Sequence, residues 1–107
     1  MNDIKLLGRL AQEPVLHTSV KGRPYVWFIV AVPRRNNRKE ADFIRCVAFD
    51  KLADAVNKFC CKGRQVLVQG RLQVSQSVDQ ETQKNMYHHT VVANAAQFLH
   101  DPSHVEK

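Results

Sequence analysis

The stretch Glu40 to Val56, EADFIRCVAFDKLADAV, is the tightest constraint on how this chain folds, because a strand-forming run passes directly into a helix-forming one. On a strand, residues two apart share a face. Phe43, Arg45, Val47 and Phe49 therefore form one row, and Ile44, Cys46 and Ala48 the other. The second row is small, apolar and uncharged, as a core-facing row should be. The first sets an arginine between aromatic rings, which suits a flat anionic polymer, since guanidinium takes phosphate and aromatics take bases. The same row is equally compatible with a core of Phe43, Val47 and Phe49 that tolerates Arg45 at a strand edge. Parity alone leaves both open.

The segments around this stretch set the topology. Asp3 to Leu10 reads as a first strand with a bend or bulge at Gly8, interrupted by Glu13-Pro14, after which Val15 to Thr18 can resume as extended chain before a turn at Lys21-Gly22. Tyr25 to Val32 is apolar on both faces, with Val26, Phe28, Val30 and Val32 on one and Tyr25, Trp27 and Ile29 on the other. One face is core, so the other meets a ligand or another subunit. After Pro33, the run RRNNRK places Arg34, Arg35, Arg38 and Lys39 in a loop with nothing to bury. It suits a solvated hairpin loop or a backbone-tracking finger. Asp50 is expected to be the N-cap of a helix whose stripe is Leu52, Val56, Phe59 and Cys60, with Gly63 as its C′ residue. Gln65 to Val74 alternates cleanly, with Val66, Val68, Leu72 and Val74 inward; Ser75 to Asn85 reads as a long hairpin loop, and Tyr87 to Leu99 as the last strand. Three strands, one helix and two strands predict an all-β, five-stranded Greek-key barrel of the OB type over residues 1–100, followed by a short frayed tail over 101–107.

Composition narrows the partner. At 107 residues the chain fits one domain with one core. The net charge of +6 favours an acidic partner such as nucleic acid. Three cysteines, two of them adjacent, suit neither a disulfide framework nor a zinc site, so all three are expected to be reduced, in a cytoplasm. No run is apolar enough for a membrane span or signal peptide. His88 and His89 are strand neighbours that point to opposite faces and cannot easily share one ion. No phosphate-cradling glycine loop or paired carboxylates support an enzyme, and no cofactor or metal is expected.

The ordered set Gly8-Arg9-Leu10, Glu13-Pro14, Lys21-Gly22, Ala31-Val32, Glu40-Ala41-Asp42-Phe43, Val47-Ala48-Phe49, Lys51-Leu52-Ala53, Lys62-Gly63, Gly70-Arg71-Leu72-Gln73, Tyr87, Val91-Val92-Ala93 and Gln97-Phe98-Leu99 resembles the bacterial single-stranded DNA-binding proteins along nearly the whole chain. The resemblance implies a non-catalytic OB-fold subunit that usually forms a homotetramer and wraps single-stranded DNA without sequence preference. Two of that family's stacking positions fall on Phe43 and Phe49. Arg45, Arg71 and Arg34 to Lys39 are the expected phosphate contacts, with Lys21, Arg23 and Lys84 weaker and Tyr87 a further candidate.

Two departures follow from the same resemblance. Where the family often carries stacking aromatics, this chain has Asn36 and, near the later hairpin, Ser77; Trp27, outward by parity, is the expected replacement, with Tyr25 beside it. Family members also commonly end in an acidic tip that recruits repair and replication enzymes, whereas this sequence stops at Val105-Glu106-Lys107, so such recruitment is not expected. The competing reading is an OB-fold adaptor of the primosomal replication protein B type, working as a dimer through protein contacts. RNA in place of DNA is a third.

Overall fold

The architecture, in a computed structural model that describes residues 1–37 and 39–99, consists of β1 (Ile4–Leu10), β2 (Val15–Thr18), β3 (Pro24–Pro33), β4 (Ala41–Phe49), α1 (Asp50–Phe59), β5 (Gln65–Val78) and β6 (Asn85–Phe98). Among these residues no helix is long and apolar enough to cross a membrane. The strands follow the order β1-β5-β6-β4-β3-β2, and a further β1–β3 pairing closes β1, β3, β4, β6 and β5 into a ring. This is the five-stranded OB barrel expected from the element order, with the helix between β4 and β5. The short segment Val15–Thr18 adds a sixth strand outside the ring, paired antiparallel with β3.

The ring closes in two places. At one, β1 leaves β5 for β3, where Arg9 lies opposite Ala31 and Leu10 opposite Val30. Gly8 permits this crossing, since a Cβ there would sit 2.2 Å from the Ala31 carbonyl oxygen. At the other, β4 and β6 run parallel, with Cys46 opposite Val91 and Val47 opposite Val92.

The core follows strand parity. Val26, Phe28 and Val30 of β3, Cys46 and Ala48 of β4, Val66 and Val68 of β5, and Val91 and Ala93 of β6 meet inside the ring, joined by Leu10. Ala53 and Val56 of α1 pack on the same cluster, as does Cys60 just beyond the helix. β-branched residues dominate because they fit the pleated surface, and burying each contributes roughly 1.5–3 kcal/mol.

Five local expectations are corrected. Asp50 is not the N-cap: Phe49 occupies that place in extended conformation, without a side-chain cap. Asp50 is instead the first helical residue, at φ +58°. Gly63 is not C′, because the helix ends at Phe59; its φ of +90° serves the following turn, where its N–H donates to the Leu10 carbonyl at 2.9 Å. Phe59, expected on the buried stripe, is half exposed, whereas Ala53 is fully buried in its stead. Val74 is exposed, because β5 has left the barrel by that point. Ser75 to Asn85 is not a long loop: β5 continues to Val78 and pairs with β6 down to Asn85, so only Asp79 to Lys84 turn. The predicted tail over 101–107 lies outside the described residues, as do His100 and Arg38.

Candidate nucleic-acid interface

The outer face of β3 and β4 is built by one register. Tyr25 lies opposite Phe49, Trp27 opposite Val47, Ile29 opposite Arg45 and Ala31 opposite Phe43. Phe43 is 68% exposed and Trp27 37% exposed, while Phe49 is partly buried. Val47, placed in this row by parity, is only 4% exposed. Its register explains the difference: Trp27 flanks it on β3 and Val92 on β6, and the two cover it. Val47 is therefore the floor of the row and Phe43, Arg45 and Phe49 its accessible members.

Two hollows that share Trp27 open on this face. The larger, about 600 Å³, runs from Tyr25, Trp27 and Phe49 across Val47 to Arg71, Gln73, Thr90 and Val92. The smaller, about 390 Å³, lies between Trp27 and Arg45 on one side and Val15, His17, Gln12 and Glu13 on the other. The Arg45 guanidinium sits 4.4 Å over the Trp27 ring. No ion-pair partner holds Arg45 among the described residues, so its charge is open to an incoming anion. Tyr25 is the centre of a second aromatic run: Phe49 lies 6.4 Å away on one side, and His17 stacks on it at 5.3 Å on the other.

The other expected contacts are distributed unevenly. Arg71 lines the larger hollow and donates to Gln73 at 3.2 Å. Arg35 and Lys39 are exposed in the loop between β3 and β4. Arg34 is engaged with its own loop, donating to Asp42 at 3.0 Å and to Glu40 at 3.1 Å. Lys84 is in the hairpin turn, beyond the lining of either hollow. Tyr87 lies opposite Gln76 and shares a face with Val74 and Val78, whereas Arg71 and Gln73 share the other with Ser75 and His88. Tyr87 therefore faces away from the groove. The same register sends His88 and His89 to opposite faces, His88 meeting Ser77 Oγ at 2.9 Å.

Parity did not reveal His17, because β2 has too few residues for its partner to be inferred. It did not reveal the Arg23–Asp50 pair either: Arg23 Nε donates to both Asp50 carboxylate oxygens at 3.1 Å. Only the strand register brings the two together. Lys21, named with Arg23, lies with it beside Phe49 at the β2–β3 turn.

Residues 1–99 match the single-strand binding protein family. This chain belongs to that family. It is 38% identical over 104 residues to a single-stranded DNA-binding protein of Fusobacterium nucleatum, covering 92% of this chain and 66% of that protein. Single-stranded DNA-binding protein 1 of Staphylococcus aureus strain MSSA476 is 39% identical over 103 residues, with 92% and 65% covered. The protein of the same name from strain COL is 36% identical over 103 residues, with 92% and 61% covered. This family member thus spans just under two thirds of the length of those relatives.

Proposed function

We propose that this protein binds single-stranded DNA without sequence preference and without catalysis, protecting exposed strands during replication, recombination or repair in the bacterial cytoplasm or nucleoid. The observation that carries the reading is the outer row of β3 and β4, where Trp27, Phe43 and Phe49 offer stackable rings around the unpaired Arg45. Bases stack on Phe43, Phe49 and Trp27; Arg45, Arg71, Arg35 and Lys39 neutralise phosphates. Arg34 and Arg38 contribute through the same loop, while Lys84 and Tyr87 are peripheral. Rings without a hydrogen-bonding frame accept any base, which accounts for the lack of sequence preference. A duplex hides those base faces, so single strands are preferred.

We further propose a homo-oligomer, a tetramer in preference to a dimer. Leu7 and Leu67 lie side by side on the outer face of β1 and β5, and Leu7 is half exposed. An apolar pair on the outer face of the sheet, outside the lining of both hollows, suits a subunit contact.

Titration with oligo-dT, oligo-U and duplex at two salt concentrations tests the DNA reading. Tight, salt-sensitive binding of oligo-dT with weak duplex binding is expected. Equal affinity for duplex and single strand at moderate salt would sink it.

A further inference from the structure

Phe49 is not an open platform in this molecule. The Arg23 guanidinium lies 4.3 Å over its ring, held there by the two hydrogen bonds from Nε to Asp50. Asp50 follows Phe49 directly and adopts φ +58°, the left-handed region that aspartate and asparagine enter more readily than other non-glycine residues. That conformation turns the chain out of β4 into α1 while keeping the carboxylate beside the ring. Trp27 offers a contrast: Arg45 covers it, and among the described residues no carboxylate forms an ion pair with Arg45.

To a guanidinium, a carboxylate and a phosphate are equivalent partners, each an oxyanion that accepts its N–H groups. We propose that Asp50 is a resident stand-in for phosphate: it holds Arg23 across Phe49 in the free protein, and a bound strand takes Arg23 over through a phosphate, uncovering the ring for a base. The inference rests on the single-strand binding reading above. Asp50 is then a positioning residue and Arg23 a phosphate contact that is occupied until the ligand arrives. Both side chains are more than half exposed, at 55% for Arg23 and 57% for Asp50. An exposed pair of this kind is weak. Asp50 therefore competes with the strand without blocking it, and sets how much of the ligand's binding is used in opening Phe49.

The test compares oligo-dT affinity for the wild type, D50N, D54N, R23A and the double variant R23A/D50N. Asparagine tolerates the left-handed conformation, so D50N keeps the fold. Asp54 lies exposed on the same helix, so D54N removes one negative charge without touching Arg23. D50N is expected to bind roughly two- to fivefold more tightly than D54N. R23A should weaken binding more in the D50N background than in the wild type, since only there is Arg23 free beforehand. Equal affinities for D50N and D54N, or an R23A effect that is the same in both backgrounds, overturns the proposal while leaving single-strand binding intact. Failure of the wild type to bind oligo-dT overturns both. An F49A variant that binds as tightly as the wild type removes the platform, and the latch with it.

Discussion

Phe43 and Phe49 occupy one row of one strand, yet they present different surfaces to a ligand. Phe43 is open, and Phe49 lies under Arg23. Stacking contributes roughly 1–3 kcal/mol per base, so F43A and W27A should each weaken oligo-dT binding by roughly 5- to 100-fold in a fluorescence or anisotropy titration. F49A should fall toward the low end, because opening the ring offsets part of its stacking. Saturating oligo-dT should also change Trp27 emission. A second residue-scale expectation concerns Cys46, whose thiol is buried, donates to the Ile44 carbonyl at 3.7 Å, and is pushed by burial from 9.0 to about 12. Above pH 9 the unfolded chain releases this proton while the folded protein retains it. The unfolded state then binds fewer protons, and stability falls as pH rises from 9 toward 12. Urea unfolding at pH 8 and pH 10.5 checks the sign, with Cys46→Ala flattening the difference. Much at this scale was legible in advance: the outward parity of Phe43, Arg45 and Trp27 follows from alternation alone. Val47 and Asp50 were not, because one is covered from both neighbouring strands and the other depends on a backbone angle that sequence does not display.

At the scale of elements, the barrel depends on two places where a side chain has no room. A Cβ on Gly8 would lie 2.2 Å from the Ala31 oxygen, and one on Gly70 2.2 Å from the Val92 oxygen. Backbone cannot yield as the end of a flexible side chain can. Gly8→Ala and Gly70→Ala should therefore each destabilise by roughly 2–4 kcal/mol in urea denaturation. Gly22 has open space and φ +84°, so Gly22→Asn should be nearly neutral. The strands of the barrel were legible because one face of each is continuously apolar. The hairpin arm beyond Val74 was not: with polar residues on both faces it has no hydrophobic period, and its extended form comes from the β5–β6 ladder alone. The helix was legible in its existence and its Val56 stripe but not in its ends, since neither Phe49 nor Cys60 is a typical cap residue.

For the whole molecule, the groove face is where phosphate contacts should register as salt dependence. Removing Arg45 or Arg71 should each lower the log-log salt slope for oligo-dT by about 0.7, whereas an alanine at Lys51, exposed on the helix, should leave it unchanged. Sedimentation of the wild type and of Leu7→Glu checks the oligomer, with dissociation expected for the variant. The two closures of the ring have a further consequence. The antiparallel ladders divide the barrel into two leaves, β1–β5–β6 and β2–β3–β4, whose strands pair, among the described residues, where Arg9 and Leu10 face Ala31 and Val30, with the Ala11 N–H donating to the Ile29 carbonyl beside them at 2.9 Å, and where Cys46 and Val47 face Val91 and Val92. Local opening should begin at these short seams, so their amides exchange with solvent ahead of those in the ladders. The larger hollow straddles one seam, with Trp27 and Phe49 on one leaf and Arg71 and Thr90 on the other. A strand lying across it staples the leaves together, and the slowing of exchange at Val47 and Val92 on binding should exceed that anywhere else in the barrel.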